Sequence, residues 1–300
     1  MILIHIMKIQ GTFTALVTPF TENQEVDYEA LKKHISSQIF NKVEGLVPCG
    51  TTGESPTLTH DEHRKVIEKT VQWAKEINKD IIVIAGTGSN STQEAIDLTK
   101  SAAVDGADFA LVVNPYYNKP TQDGLYAHFT AIAEASGIPL VLYNIPGRTS
   151  ISLSIPTIAR LAQHPNIVAI KESTGDLGFM SEVILNTPDD FVLLSGDDNL
   201  VLPVLSIGGK GVISVTSNVA PLKFSNITRY FLSGNYEAAK TEYYKLLPLM
   251  KALFLETNPI PVKAALSIMG DIQNVLRLPM TPLSKDNFEK LRVVLTSAGK

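Results

Sequence analysis

Ile138-Pro139-Leu140-Val141-Leu142-Tyr143-Asn144 and Asn166-Ile167-Val168-Ala169-Ile170-Lys171-Glu172-Ser173 are two short apolar runs, each closed by polar side chains, with a helix-forming stretch between them. The same alternation of β-branched runs and helical patterns extends from the first residues to about residue 220, the mark of parallel strands joined by helices. The runs predict strands at Thr14–Thr18, Gly45–Cys49, Ile81–Ala85, Phe109–Val113, Leu140–Tyr143, Val168–Lys171, Val192–Ser195 and Val212–Val215. About eight strands at intervals of roughly 20 to 37 residues have the count and rhythm of an α/β (β/α)8 TIM barrel. An open doubly wound sheet is the rival architecture. It would normally carry a phosphate or dinucleotide loop after its first strand, whereas here that strand runs into Thr18-Pro19-Phe20.

Helix starts are signalled between the strands. Thr59-His60-Asp61-Glu62 and Ser91-Thr92-Gln93-Glu94 fit the capping box, and Asp27 and Ser154 suit N-caps. Beyond the last strand, Pro221 to Ser233, Tyr236 to Glu256 and Ser284 to Thr296 read as helices. The expected organisation is a barrel over residues 1–220 and a C-terminal helical extension over 221–300, packed on the barrel or used in assembly.

The 300 residues are 44% hydrophobic and 19% charged, with a formal net charge of -4, which suits one large core and is neither disordered nor membrane-like. Lys and Arg are scattered, so nucleic acid is not an expected partner. The apolar start Met1-Ile2-Leu3-Ile4-His5-Ile6-Met7 is far shorter than the roughly 20 residues that span a bilayer and has no cleavage site. Met7 is an alternative first residue. The lone Cys49 sits beside Leu46 and Val47 and reads as a buried thiol in a reducing, cytoplasmic setting.

In a barrel of this kind the reactive side chains stand at the C-terminal ends of the strands. Lys171 ends such a strand. Apolar surroundings strip water from an ammonium group and favour the neutral amine, the form that attacks a carbonyl to give an imine. Read from this run alone, the plainer reading of Lys171 is a strand end that reaches solvent. Tyr143 ends the preceding strand at a matching level, where its phenol could face Lys171 across the mouth and relay protons, or be an ordinary amphipathic core residue. Arg148, on the loop that follows, is either a planar fork for a carboxylate or a solvated loop arginine.

The turn Gly50-Thr51-Thr52-Gly53-Glu54-Ser55 lacks the Lys-Ser/Thr ending of a nucleotide P-loop but can present N–H groups and hydroxyls to a small carboxylate. Gly86-Thr87-Gly88-Ser89-Asn90-Ser91 lacks the third glycine of a dinucleotide fingerprint. His60 and His63 do not have the His-Glu-x-x-His order of a zinc site, and no metal is expected. Asp197 and Asp198 are adjacent and point apart, with helix capping accounting for one of them.

Together, Gly50-Thr51-Thr52-Gly53-Glu54, Tyr116-Tyr117, Tyr143-Asn144-Ile145-Pro146-Gly147-Arg148-Thr149, Ile170-Lys171-Glu172 and Ser195-Gly196-Asp197-Asp198 resemble the dihydrodipicolinate synthase family of pyruvate-dependent (β/α)8 lyases, over Gly11 to Leu295. The resemblance implies a lyase that joins pyruvate to aspartate semialdehyde in lysine (diaminopimelate) biosynthesis, with no cofactor. It implies Lys171 as the Schiff-base lysine and a proton relay of Tyr143 and Thr51, completed by Tyr117 from a neighbouring subunit. Thr52 would hold the pyruvate carboxylate, Arg148 that of the second substrate, and Gly196 and Ile213 would line the pyruvate pocket. Ser55, His60, His63, Asn90, Glu94 and Tyr116 match a feedback site for lysine, with Pro56 in place of a frequent alanine. The implied assembly is a homotetramer, a dimer of dimers.

Overall fold

The computed structural model describes residues 9–297, so the alternative starts at Met1 and Met7 lie outside the described residues. Eight strands form a closed, wholly parallel barrel in sequence order. They are β1 (Gly11–Ala15), β2 (Gly45–Val47), β3 (Ile82–Gly86), β4 (Phe109–Val113), β5 (Leu140–Asn144), β6 (Ile167–Glu172), β7 (Val192–Ser195) and β8 (Gly211–Ser214). The helices are α1 (Tyr28–Phe40), α2 (His60–Ile77), α3 (Thr92–Val104), α4 (Gln122–Ala135), α5 (Pro146–Thr149), α6 (Ile155–Leu161), α7 (Leu177–Asn186), α8 (Val201–Ser206), α9 (Pro221–Leu232), α10 (Tyr236–Ala252), α11 (Ile260–Ile268) and α12 (Lys285–Ser297).

The predicted first strand is displaced. Val17, read as mid-strand, donates its N–H to Asn218 Oδ1 at 3.2 Å, and the Thr18 hydroxyl donates to the Gly53 carbonyl at 2.7 Å. These bonds take Val17 and Thr18 out of the ladder, so β1 is supplied by Gly11-Thr12-Phe13-Thr14-Ala15, with the Leu16 N–H making a last bond to the Val47 carbonyl at 3.0 Å. Inside the barrel, Phe13, Val47, Ile84, Leu111, Val141, Ala169, Leu194 and Ile213 form one apolar plug. Each of these side chains other than Ala169 contributes about 1.5–3 kcal/mol on leaving water.

The helix signals hold with two exceptions. Asp27 accepts from Ala30 N–H, Ser154 from Thr157 N–H, and Thr59 with Glu62 makes both bonds of the capping box. At Ser91 only half of the box forms: Ser91 accepts from Glu94 N–H, but the Glu94 carboxylate turns away to Ser89 and His60. The second exception is Asp197, which makes no capping bond, while Asp198 accepts from the Val215 and Thr216 N–H groups and the Thr216 hydroxyl. Its carboxylate therefore pins the turn after β8 rather than a helix of its own.

Helix α9 packs on β1 and α8, with Thr228 Oγ1 3.0 Å from Thr12 Oγ1, and so completes the helical ring. The helices additional to the ring are α10, α11 and α12, whose Leu246, Leu249, Val262, Leu266, Leu291 and Leu295 share a core with Val201, Val212, Val215 and Phe224. Sequence patterning extended α10 to Glu256 and left 257–283 unassigned. The structure ends α10 at Ala252 and places α11 in the gap, with Pro261 in its first turn, where a proline's missing N–H costs nothing.

Candidate active site

Lys171 and Tyr143 are register partners on β6 and β5, so they stand side by side rather than across the mouth. A register shift makes them so. Leu140 pairs with Ile167, but Val141 pairs with Ala169, and the one residue taken up between them puts Lys171 rather than Ile170 level with Tyr143. Because successive strand residues alternate between faces, this shift decides whether the residue beside Tyr143 points inward. Lys171 is 7% exposed, and its Nζ lies 4.0 Å from the centroid of the Tyr143 ring. Gly196 must be glycine here, because a Cβ would stand 3.0 Å from Lys171 Cε and closer still to Ser173 Oγ. Ile213 and Tyr143 belong to the same interior cluster.

Outside the barrel wall, Glu172 accepts from Asn144 Nδ2 at 2.8 Å and Thr174 N–H at 2.6 Å, and Asn144 Oδ1 accepts from Asn114 Nδ2 at 2.8 Å. Burial raises the Glu172 pKa above the usual carboxylate range. This chain of amides ties the ends of β4, β5 and β6 together and fixes the strand on which Lys171 stands. Asp197 is also pushed up by burial, with the Lys171 charge pulling the other way.

Beyond Tyr143 opens a cavity of about 400 Å3, lined by Thr51, Ser55, His60, His63, Glu94, Tyr116, Tyr143 and Arg148 among others. Tyr143 lines this cavity and also packs with Ile213 and against Lys171, neither of which lines it. Thr52 is buried beside Thr51, and its Oγ1 accepts from Asn258 Nδ2 at 3.0 Å. Arg148, expected on a loop, sits on the short helix α5 and donates through Nη2 to the Asn258 carbonyl at 3.1 Å. Glu54, two residues after Thr52, is left-handed (φ 53°) and forms a buried ion pair with Lys263 of α11 at 2.5 Å. Sequence reasoning did not find Asn258 or Lys263. Tyr117, at φ 72° on the loop after β4, is 90% exposed and is not brought to the cavity.

At the far end, Glu94 bonds His60 Nε2 at 2.9 Å and accepts from the Ser89 hydroxyl. Tyr116 stands close enough to Glu94 for burial and that carboxylate to raise its pKa. Asn90 does not line the cavity; its carbonyl accepts from Asn118 Nδ2 at 2.8 Å. The glycine spacing of Gly86-Thr87-Gly88 has a packing cause, since a Cβ on Gly88 would lie 2.4 Å from the Val113 nitrogen.

His63, 4% exposed and bonded through Nε2 to the Gly86 carbonyl at 2.9 Å, has its pKa lowered by burial to about 4. His128, 5% exposed with Nε2 unpartnered among the described residues, is likewise lowered by burial to about 4. Both folded values lie below the unfolded value of about 6.5, so the unfolded chain binds more protons in that window. Their contribution is complete above about pH 6.5 and is lost as pH falls toward 4. Unfolding free energy should therefore fall between pH 7 and 5, and His128→Gln should flatten the slope. Buried carboxylates with raised pKa, such as Glu44 and Asp198, act in the opposite sense, so the check is urea denaturation of the unaltered protein and of His128→Gln side by side across that range. The same pH dependence in both proteins would contradict the assignment.

A closed barrel with its buried amine and phenol at the strand ends, and a guanidinium at the cavity beyond them, defines a (β/α)8 enzyme of the lyase class. The model of the dihydrodipicolinate synthetase family matches residues 8–298, and the chain belongs to that family. It is 56% identical over 294 residues to the 4-hydroxy-tetrahydrodipicolinate synthase of Leptospira biflexa, covering 97% of this chain and 99% of that one. Among solved structures it resembles the chloride-inhibited dihydrodipicolinate synthase of Acinetobacter baumannii complexed with pyruvate, at 47% identity and a TM-score of 0.94, covering 97% and 99% of the two chains. It also resembles the enzyme of Cyanidioschyzon merolae with lysine bound, at 42% identity and a TM-score of 0.93, covering 97% and 98%.

Proposed function

We propose that this chain condenses pyruvate with aspartate 4-semialdehyde through an imine on Lys171, giving 4-hydroxy-tetrahydrodipicolinate for lysine (diaminopimelate) biosynthesis. The observation that carries the proposal is the Lys171 amine, 7% exposed at a strand end and 4.0 Å from the ring of Tyr143, which lines the cavity. The neutral amine adds to the pyruvate carbonyl, water leaves, and the iminium draws electrons from the methyl carbon. Loss of a methyl proton gives an enamine whose carbon attacks the aldehyde. The amino group of the second substrate then closes the ring and expels Lys171. Tyr143, with Thr51 and the Tyr117 of a neighbouring subunit, relays the protons.

Thr52 and its neighbouring N–H groups hold the pyruvate carboxylate, Gly196 and Ile213 shape that pocket, and Arg148 takes the carboxylate of the aldehyde. Borohydride with labelled pyruvate should leave a stable adduct on Lys171, and its absence would leave the mechanism without support. Aspartate semialdehyde should outcompete N-acetylmannosamine and sugar aldehydes as acceptor. A preference for a sugar would replace the named substrate.

The proposal includes a homotetramer built from dimers that share Tyr117, whose 90% exposure in the single chain leaves it available to a partner. It also includes a cytoplasmic location; no helix among the described residues is long and apolar enough to cross a membrane. Lysine would bind at the end of the cavity formed by Ser55, His60, His63, Glu94 and Tyr116, with Asn90 nearby and Glu94 meeting the ammonium group. Loss of one charge-assisted bond costs about 1.5–3 kcal/mol, so Glu94→Ala should raise the lysine concentration for half-inhibition by about 10- to 100-fold. Initial rates that ignore millimolar lysine in the unaltered protein would remove the regulatory part.

A further inference from the structure

Asn258, in the connection from α10 to α11, touches both groups assigned to hold substrate carboxylates. Its side-chain Nδ2 donates to Thr52 Oγ1 at 3.0 Å, and its main-chain carbonyl accepts from Arg148 Nη2 at 3.1 Å. The residue is 5% exposed. Nothing in the pattern of the barrel strands requires it, because it belongs to the helices added after the ring closes. Five residues on, α11 carries Lys263, whose buried pair with Glu54 anchors the turn that begins with Gly50-Thr51-Thr52.

We propose that Asn258 is a positioning residue through which the C-terminal helices fix the Thr52 hydroxyl as a hydrogen-bond donor and set its spacing from the Arg148 guanidinium. This rests on the assignment of Thr52 to the pyruvate carboxylate made above. A threonine hydroxyl has one proton to give and two lone pairs to receive. With one lone pair engaged by an amide N–H, its proton is directed elsewhere, and Thr52 Oγ1 appears only as an acceptor in the hydrogen bonds of the described residues. A carboxylate, which accepts and never donates, is the ligand that completes this arrangement.

The two contacts of Asn258 differ in kind, and the test uses the difference. The bond to Thr52 comes from the side chain and is lost in Asn258→Ala. The bond from Arg148 goes to the main chain and survives. In the full-length assembled enzyme, Asn258→Ala should raise KM for pyruvate by about 10-fold, the scale of one lost hydrogen bond in a buried site, and leave KM for aspartate semialdehyde within about twofold. Asn258→Asp, close in shape, should raise the pyruvate KM at least as far, since the introduced carboxylate takes the Thr52 proton and repels the substrate. In a Thr52→Ala background, Asn258→Ala should add no further increase.

Loss of packing alone would move both Michaelis constants or kcat together, so a parallel rise overturns the proposal, as does an unchanged pyruvate KM. If Asn258→Ala does not fold, Asn258→Asp alone decides by the same split. Borohydride trapping on the unaltered enzyme separates the two failures. An adduct on Lys171 with no pyruvate effect in the variants refutes the positioning role, whereas absence of any adduct refutes the activity on which it rests.

Discussion

Lys171→Ala should abolish turnover, with kcat/KM reduced by at least about 10^4-fold and the borohydride adduct lost altogether. The expectation is this large because imine formation is the step that makes the pyruvate methyl carbon a nucleophile. Tyr143 can move protons but cannot form the iminium, and the guanidinium of Arg148 has no nucleophilic nitrogen at neutral pH. The fold should survive the change. The described contact of Lys171 Nζ is the face of the Tyr143 ring, worth about 0.5–2 kcal/mol, so no buried hydrogen-bond partner is stranded by its removal. Thermal denaturation close to the unaltered protein together with dead kinetics would place the effect in chemistry. Residual activity above about one part in a hundred would mean that another group carries the reaction.

Much of the architecture could be read from strand-length apolar runs at regular intervals, since each strand must be covered by the helix that follows it. Lys171 was visible for the same reason: a single ammonium group closing an apolar run is conspicuous. What could not be read was where neighbouring strands slip against each other. The shift between Leu140 and Val141 has no residue signature, yet it is what brings Lys171 rather than Ile170 level with Tyr143. The first strand was misplaced because Val17 looks like strand but spends its N–H on Asn218, two hundred and one residues away. Glu94 carries two readings in the sequence, half of a local capping box and, through the resemblance, a feedback-site residue, and its carboxylate leaves the box for Ser89 and His60. Local patterns compete with distant partners at these places, and the distant partners win.

Lys263 shows the same competition most strongly, and replacing it should produce the largest loss of stability outside the catalytic residues. Its Nζ is 2.5 Å from Glu54 Oε1, both side chains being almost fully buried at 0% and 1% exposure. Glu54 Oε2 accepts from the Arg277 N–H at 3.1 Å, and the Phe20 ring lies 4.1 Å from Lys263 Nζ and 4.4 Å from the Arg277 guanidinium. Burial lowers the Lys263 pKa to about 8, so the ammonium form and its ion pair persist at pH 7. In sequence Lys263 is the one charge in Ile260-Pro261-Val262-Lys263-Ala264-Ala265-Leu266, a cue with no visible partner because Glu54 is 209 residues distant.

Lys263→Met removes the cation and leaves the Glu54 carboxylate buried without its partner, which costs about 3–5 kcal/mol. At roughly 2–4 °C per kcal/mol, Tm should fall by about 6–20 °C. Adding Glu54→Leu should restore most of that loss, because an apolar pair in the same space has no charge to desolvate. A Tm within about 2 °C of the unaltered protein for the single variant, or a double variant no better than the single, would contradict this account. Pyruvate KM should rise in the single variant as well, since Glu54 terminates the turn that carries Thr51 and Thr52, and an unpaired carboxylate there can hold its left-handed backbone only by drawing in water. The pair thus links the anchoring of α11 to the geometry of the mouth: the charge that a barrel of this size could replace with a leucine is kept where a turn at the site needs a fixed end.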